Sequence, residues 1–427
     1  MLYAKPNINI SFIGQTYTGK STLISNLINN LGDSDTINEL DPLYKSLDNT
    51  QYRYKPVKTR YLSLFQINTE KTSFTLIDTP GESCYFRCLV TGIILTDVAI
   101  LVTPSSKGEL DLTHPRFGLT MYHSFFATEL GTKQSIICVN KISENANTLT
   151  RSEFEEMRIT ILMLLTKARL TTENFIFIPI STCKKQNILE PCAEFSWYNG
   201  PTLLEVIKNL EHPKSNTEKP LRIIVYDSFQ KLCNSLVVAG LIISGSLSVG
   251  QSVVFAPSGI IAEVQSIEIL KKRIEVAWEG NIIGFFVRNV GYKDVKKGFV
   301  VSDLKNEPAK ECEFFSAEIY ILENPCKIKV GYSPIITIHT ASEPCKIINI
   351  QKTFDKKTGV TLENDPEYLK AEDSAIVVMS PTKPMCVETF DDYPKLGRFV
   401  ITDKGKIIAV GKVKEVLKKE IKYIRRS

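Results

Sequence analysis

The residues best suited to chemistry lie near the start of the chain, in the segment Gly14-Gln15-Thr16-Tyr17-Thr18-Gly19-Lys20-Ser21. Backbone N–H groups of such a glycine-bounded loop point at a phosphate, the lysine reaches the β- and γ-oxygens, and the serine hydroxyl ligates Mg²⁺. A glycine turn that matches by chance is the alternative. Because an apolar run precedes the loop and a helical pattern through Thr22 follows it, the segment predicts a nucleoside triphosphate site.

A second motif, Asp78-Thr79-Pro80-Gly81, ends the apolar run Phe74–Ile77. An aspartate at this place can hold Mg²⁺ through water, and a glycine amide can approach a γ-phosphate closely. The motif alone is a common turn. Its position at a strand end, downstream of the phosphate loop, makes Asp78 the second predicted metal ligand after Ser21.

Two further motifs indicate a base-binding side. Asn140-Lys141-Ile142-Ser143 ends the run Ile136–Val139, and we expect Lys141 to pack along a purine while Asn140 ties its loop to the phosphate loop. Ser181-Thr182-Cys183 ends the run Phe175–Ile180, where a backbone N–H can meet a base carbonyl. Motifs at three strand ends, in this order, are typical of a G-type nucleotide domain.

Alternating elements position these motifs. The strand-like runs are Ile8–Ile13, Leu62–Ile67, Phe74–Ile77, Val98–Val102, Ile136–Val139 and Phe175–Ile180. The helical patterns lie near Ser21–Leu31, Arg116–Leu130, Ser152–Leu165 and Thr202–Leu210. This alternation predicts an α/β P-loop G domain over residues 1–210, with a mostly parallel sheet, helices on both of its faces, and ligands at the carboxyl ends of the strands.

Beyond this domain the pattern changes. A polar stretch at residues 211–219 predicts a linker, and short β-branched runs separated by Gly, Pro and Asn recur to about residue 413. So many short strands close naturally into two all-β barrel domains, which we place at residues 220–311 and 312–413. Residues 414–427 are predicted to form a basic C-terminal tail.

Composition and charge restrict the function. Ten cysteines without a Cys-x-x-Cys pair and four dispersed histidines argue against a zinc ribbon, a disulfide framework or a metal cluster. No signal-peptide core or long apolar run is present, so we expect a cytoplasmic protein without a membrane partner. The last sixteen residues carry as much surplus charge as the whole chain, +5. A solvated end and contact with RNA or another polyanion both remain open.

Motifs along the whole chain resemble the family of eukaryotic translation elongation factor 1-alpha and its relatives, the release-factor and ribosome-rescue GTPases. The segments that carry the resemblance are Trp197-Tyr198-Asn199-Gly200-Pro201, Lys219-Pro220-Leu221-Arg222, Gly284-Phe285-Phe286-Val287-Arg288-Asn289-Val290, Pro384-Met385-Cys386-Val387-Glu388 and Leu396-Gly397-Arg398-Phe399. The resemblance implies GTP or GDP and Mg²⁺ as cofactors. It further implies a monomer that delivers aminoacyl-tRNA to the ribosome, with a nucleotide exchange factor as an additional partner.

The nucleotide domain departs from the family at working residues. The family's water-positioning histidine is replaced by Glu82, and the guanine-reading aspartate by Ser143. Counting back from Asp78, the γ-phosphate-sensing threonine falls on Thr59, a third predicted Mg²⁺ ligand, against the alternative of a plain loop threonine. A carboxylate beside the γ-phosphate adds like charge and has no N–H to stabilise its oxygens, which predicts slow hydrolysis. A serine accepts only one of guanine's donors.

Two functions remain open at this point. The first is an elongation factor that carries aminoacyl-tRNA with impaired GTP hydrolysis. The second is a non-enzymatic paralogue that keeps the fold without a working switch. Such a paralogue would be a ribosome-, tRNA- or cytoskeleton-binding module, or a rescue- or release-type carrier.

Overall fold

A computed structural model gives the structure of the chain. It describes residues 6–31, 59, 61–69, 72–106, 118–132, 134–142, 149–167, 175–212, 218–231, 235–270, 272–322, 327–355, 358–404, 406–420 and 422–425. The chain divides into two units. Residues 1–128 and 132–214 form the first unit, and residues 129–131 and 215–427 form the second.

The first unit is built on one six-stranded sheet. Its strands are β1 (Asn7–Ile13), β2 (Ser63–Asn68), β3 (Ser73–Asp78), β4 (Val98–Pro104), β5 (Gln134–Asn140) and β6 (Phe175–Pro179), in the order β2-β3-β1-β4-β5-β6. All neighbours run parallel except β2 and β3. Strands β3 and β4 are buried along their whole length, and in β4 this burial explains the nearly continuous apolar sequence.

Five helices accompany this sheet in the described residues. They are α1 (Lys20–Leu31), α2 (Phe86–Ile94), α3 (Gly118–Leu130), α4 (Arg151–Lys167) and α5 (Leu203–Lys208). Leu23 and Leu27 of α1 share one apolar core with Leu203 and Ile207 of α5 and with β1, β3 and β4. The sequence patterns did not reveal α2, because periodicity alone does not separate a nine-residue segment with six buried residues in a row from a buried strand.

The second unit begins with a closed barrel. Its strands are β7 (Arg222–Lys231), β8 (Ser235–Ser244), β9 (Ser246–Ser248), β10 (Ser252–Ala256), β11 (Ile260–Ile269), β12 (Lys272–Ile274), β13 (Val276–Trp278), β14 (Ile282–Arg288) and β15 (Val300–Asp303). Six of them follow the order β10-β15-β7-β8-β14-β11, and pairing of β10 with β11 closes the circle. Strand β12 extends β11, while β9 and β13 form a separate ribbon.

A second closed barrel follows. Its elements are β16 (Cys312–Ile321), β17 (Ile335–Ile338), β18 (Ala341–Phe354), β19 (Thr361–Asn364), β20 (Ser374–Pro381), α6 (Pro394–Gly397), β21 (Arg398–Asp403) and β22 (Lys406–Lys418). The order β17-β21-β22-β16-β20-β18 closes through pairing of β17 with β18, and β19 extends β18. The predicted fold class, a P-loop α/β domain followed by two all-β barrels, is therefore confirmed.

The basic end of the chain takes part in this fold. Strand β22 continues past residue 413 to Lys418, and a short strand β23 (Ile424–Arg425) pairs in parallel with Ile260 and Ile261 of β11. Three of its lysines form ion pairs within the same unit: Lys414 with Glu318, Lys418 with Glu388, and Lys419 with Glu311. These three lysines, whose charge could also have contacted a polyanion, are therefore paired with glutamates of the protein itself.

A buried charge network joins the two barrels. Arg222 of the first barrel is fully buried, and its Nε lies 3.4 Å from Oε1 of Glu388, whose side chain is 4% exposed. Lys418 contacts the other oxygen of Glu388 at 2.5 Å, and the Tyr393 ring lies 4.8 Å from the guanidinium. Two segments that carry the family resemblance therefore meet at this junction.

Removal of the Glu388 carboxylate tests this network. We expect Glu388→Ala to lower the free energy of unfolding of the second unit by about 3–5 kcal/mol, because it leaves the Arg222 charge buried without its main partner. Urea unfolding followed by Trp278 fluorescence in a Trp197→Phe background measures the change, since the chain has two tryptophans.

Glu307→Ala is the matched control for this prediction. Glu307 also lies 3.4 Å from the Arg222 guanidinium, but its side chain is 61% exposed. Its removal should cost less than about 1 kcal/mol because water replaces an exposed carboxylate. Equal effects of the two substitutions would contradict the buried network.

Candidate nucleotide-binding site

The phosphate loop joins β1 to α1 and depends on glycine at both ends. Gly14 has φ +134°, and a Cβ there would collide with the carbonyl oxygen of Val102 on β4. Gly19 has φ +94°, and a Cβ there would lie 3.0 Å from Thr182 Oγ1. Both positions therefore exclude larger residues, and the loop keeps the close backbone approach that a phosphate requires.

Lys20, the first residue of α1, is the principal charge under the loop. It is 6% exposed, and its Nζ donates to the carbonyl oxygens of Gly14 at 2.9 Å and Gln15 at 2.8 Å. Burial lowers the pKa of Lys20 to about 8, and the Asp78 carboxylate opposes this shift. The ammonium group is thus held, largely out of water, where it can meet phosphate oxygens.

The three predicted Mg²⁺ ligands lie together. Ser21 Oγ donates to Asp78 Oδ2 at 2.6 Å, and Thr59 Oγ1 lies 3.2 Å from Ser21 Oγ. Burial raises the pKa of Asp78, and its Oδ1 makes no hydrogen bond among the described residues. Two hydroxyls and a carboxylate are oxygen ligands that suit Mg²⁺, and the second carboxylate oxygen remains for the ion or its water.

The Asp78–Gly81 motif packs against the phosphate loop. Thr79 Oγ1 donates to the Phe12 carbonyl at 2.6 Å, which fixes the motif to β1, and the adjoining Pro80 is buried. A Cβ on Gly81 would lie 2.5 Å from the Thr16 nitrogen and 2.8 Å from Lys20 Nζ. Only glycine therefore allows this approach of the backbone to the loop.

Glu82 stands directly after this glycine. It is half-buried, and its Oε2 accepts a hydrogen bond from Cys84 Sγ at 3.4 Å. The Glu82 side chain thus offers acceptors and no N–H donor. Its correspondence to the family's histidine stays a prediction from the resemblance.

Asn140 connects three loops on the base side. Its Nδ2 donates to the Thr18 carbonyl at 2.7 Å and to Thr182 Oγ1 at 3.0 Å. The link to the phosphate loop is the one that the sequence predicts for this asparagine. Lys141 follows with φ +68°, Ile142 is buried, and Ser143 lies outside the described residues.

The loop after β6 differs from expectation in one respect. The amide of Ser181 donates to the Gln186 carbonyl at 3.2 Å, and the amide of Thr182 donates to Asn140 Oδ1 at 3.0 Å. Buried amides at a strand end are normally satisfied within the protein. These two amides have partners within the protein, and the contact of this segment, which includes Cys183, with a base stays a prediction.

The remaining predicted loop residues have different surroundings. Thr18 Oγ1 donates to the Gln15 carbonyl at 3.0 Å and stabilises the turn from within. Tyr17 has φ +64° and is 55% exposed, an unusual conformation for a large side chain. Thr22 lies exposed on α1. The Thr18 side chain therefore helps to hold the loop.

One residue of the site was missed by sequence reasoning. His123 of α3 is 1% exposed, and its Nδ1 accepts a hydrogen bond from the Gly14 amide at 3.3 Å. The only signal in the sequence was a histidine beside the apolar pair Phe125-Phe126. That pattern is usual for a buried helix face, and it carries no information about a contact with a distant loop.

A phosphate loop, the Ser21–Thr59–Asp78 group and an Asn-Lys motif on a parallel sheet, followed by two closed barrels, define a P-loop G protein of the translation-factor class. Family models support each part. Residues 5–213 match the elongation factor Tu GTP binding domain, residues 236–302 match elongation factor Tu domain 2, and residues 314–414 match the GTP-eEF1A C-terminal domain-like family. The chain therefore carries a GTP-binding domain of this type.

Known proteins narrow the class to one family. Elongation factor 1-alpha of Plasmodium falciparum is 36% identical, with 98% of this chain and 97% of that protein covered. Elongation factor 1-alpha of Tetrahymena pyriformis is 34% identical, with 97% and 99% covered. The chain belongs to the elongation factor 1-alpha family.

Solved structures agree on the fold. The GTPase-like domain of Saccharomyces cerevisiae Ski7, bound to GTP, has a TM-score of 0.75 at 20% identity, with 96% of this chain and 97% of that chain covered. Elongation factor SelB of Methanococcus maripaludis, in complex with a GTP analogue, has a TM-score of 0.69 at 18% identity, with 97% and 80% covered.

In the part of the chain that the structure describes, no helix is long and apolar enough to cross a membrane.

Lys20 is the first test of the phosphate site. We expect Lys20→Ala to weaken GTP and GDP binding at least about a hundredfold, because hydrogen bonds to charged groups contribute about 1.5–3 kcal/mol each. Isothermal titration calorimetry measures the affinity. Lys208→Ala, which removes an exposed lysine on α5, should bind as the parent does. Binding by Lys20→Ala at the level of the parent would contradict the assignment.

Asp78 provides a separate test of the metal ligands. We expect Asp78→Asn to make GDP release nearly independent of Mg²⁺, because the carboxylate supplies the only formal charge among the three predicted ligands. Release of a fluorescent GDP analogue is measured with Mg²⁺ and with EDTA. The parent should release GDP faster in EDTA, and an equal response of the variant would remove Asp78 from the metal site.

Proposed function

We propose that this protein binds GTP and GDP together with Mg²⁺ and, in its triphosphate state, carries aminoacyl-tRNA to the ribosome. The observation that carries the proposal is the convergence of Lys20, the Ser21–Thr59–Asp78 group and Asn140 around one loop. Membership of the elongation factor 1-alpha family supports the cargo and the ribosome as partners. We further propose a cytoplasmic monomer that works with a nucleotide exchange factor.

Each residue has a defined task in this proposal. The loop amides and the Lys20 ammonium bind the phosphates, while Ser21, Thr59 and Asp78 hold Mg²⁺. The ion, when bound, neutralises charge on the β- and γ-phosphate oxygens. Gly81 brings its backbone to the γ-phosphate side, where only a residue without Cβ fits. Asn140 and Lys141 hold the base loop against the phosphate loop.

Hydrolysis of GTP is proposed to be slow. The transition state spreads negative charge over the γ-phosphate oxygens, and an N–H donor lowers its energy while a carboxylate raises it. Glu82 places a carboxylate at the position where the family has a histidine. Ser143 is proposed to weaken guanine selection, because it replaces two acceptors by one.

The second candidate function is a paralogue without a working switch, which Glu82 and Ser143 favour. It remains a ribosome-, tRNA- or cytoskeleton-binding module, or a rescue- or release-type carrier. Filter binding of aminoacyl-tRNA with GTP or with GDP separates the two functions. A carrier must prefer its cargo in the triphosphate state, because a ligand shifts a switch only through differential affinity. Equal binding in both states would reject the carrier function.

Glu82→His tests the cause of slow hydrolysis. We expect it to raise single-turnover GTP hydrolysis by about 10²–10³, because the histidine restores a donor that acts mainly in the transition state. Nucleotide affinity should stay nearly constant.

Glu82→Gln is the matched control, since it removes the negative charge and keeps a side chain of the same size. If the hydrolysis rate rises less in Glu82→Gln than in Glu82→His, the loss of repulsion is separated from the effect of the histidine donor. Brisk hydrolysis by the parent on ribosomes would falsify the claim of impairment. A slow parent that histidine does not rescue would favour the paralogue without a switch.

A further inference from the structure

His123 has a contact that the proposed function does not use. It lies on α3 with 1% exposure, and its Nδ1 accepts from the Gly14 amide at 3.3 Å. The neighbouring Phe125 is buried, and the Phe126 ring lies 4.8 Å from the Phe86 ring on α2. Packing of the two phenylalanines that follow the histidine therefore fixes where α3 presents the imidazole.

Gly14 is held from two directions. Its N–H donates to His123, and its carbonyl oxygen accepts from Lys20 Nζ at 2.9 Å. The Val102 carbonyl oxygen of β4 lies so close that a Cβ at this position would collide with it. The imidazole and the ammonium group thus fix the two peptide planes that meet at Gly14, and two hydrogen bonds through this residue link His123 to Lys20.

The imidazole must be neutral to serve as an acceptor. Burial, together with the positive charge of Lys20, lowers the pKa of His123 to about 3. With Nδ1 accepting, the ring proton lies on Nε2. A protonated ring would carry a hydrogen on Nδ1 that points at the Gly14 N–H, so only the neutral form fits this geometry.

We propose that His123 is a positioning residue of the phosphate loop, holding the Gly14 peptide so that Lys20 stays directed at the phosphates. Among the described residues its hydrogen bond is to Gly14, and it acts on the site through that residue. The inference rests on the proposed binding of GTP and GDP. It assigns to α3 a part in nucleotide retention, in addition to its part in the core.

A pair of substitutions tests this role. His123→Leu keeps a buried apolar side chain and removes the acceptor, whereas His123→Asn offers an amide oxygen near the position of Nδ1. An unpaired buried amide costs enough to change an equilibrium about tenfold or more, so we expect His123→Leu to release GDP about tenfold faster than the parent. His123→Asn should restore release to within about threefold of the parent.

Packing effects are separated by a neighbouring variant. Phe125→Leu removes part of a buried ring on the same helix without touching the Gly14 hydrogen bond. It should lower the melting temperature at least as much as His123→Leu while leaving GDP release near that of the parent. Faster release in Phe125→Leu than in His123→Leu would show that helix packing is responsible and would overturn the positioning role.

Nitrogen-15 NMR of the histidines in the full chain supplies a readout that does not depend on stability. The His123 ring should show the neutral Nε2–H tautomer in the parent, and the Gly14 amide proton should move upfield in His123→Leu. A protonated ring or an Nδ1–H tautomer would overturn the proposal. If the parent binds GDP and His123→Leu releases it at the same rate as the parent, the positioning role is rejected and the proposed function is kept. If the parent and Lys20→Ala both bind no nucleotide, the proposed function itself is rejected.

Discussion

The ammonium group of Lys20 is almost fully buried, and the phosphate loop and the Asp78–Gly81 motif are arranged around it. Desolvation of a cation is costly, which is why the pKa of Lys20 falls to about 8. Two loop carbonyls and the nearby Asp78 offset part of this cost. Phosphate oxygens carry full negative charge and suit the position better than neutral carbonyls. The site is therefore arranged for an anionic ligand before one arrives.

The same arrangement explains why the backbone around Lys20 tolerates so little change. Gly14, Gly19 and Gly81 all stand where a Cβ would strike a neighbouring backbone or a polar group. The phosphate loop and the Asp78–Gly81 motif can then approach each other without side chains between them. In the proposed function, binding and hydrolysis make different demands here. Binding would use Lys20 and the loop amides, whereas hydrolysis would need a donor for the attacking water, which the Glu82 carboxylate does not offer.

The second unit depends on charge in a different way. Arg222 and Glu388 are both buried, and each has a further partner at the junction of the barrels. Buried ion pairs seldom add stability relative to apolar residues of similar size. Their geometry is demanding, however, and a shift of one barrel against the other would leave a charge unpaired. We infer that this network specifies the orientation of the barrels within the second unit.

Several features of this protein could be predicted from short sequence motifs. The phosphate loop, the Asp78–Gly81 motif and Asn140 lie at strand ends, where short-range pattern and loop composition suffice to recognise them. The change to short β-branched runs indicated the barrels for the same reason. Helix α2 was not recognised, because a nine-residue segment with a buried apolar end is too short for periodicity to separate it from a buried strand.

Tertiary structure alone decided the contacts between distant segments. Thr59 was assigned only through the family resemblance, by counting back from Asp78, and the fold shows its contacts with Ser21 and Asp78. His123 meets Gly14, and Arg222 meets Glu388, through packing of elements far apart in the chain. The Thr182 amide bonds to Asn140 because two strand ends are neighbours in the sheet. The pattern of residues in a segment depends on interactions between residues that are close in sequence. The contacts between distant segments depend instead on which segments pack together in the buried core.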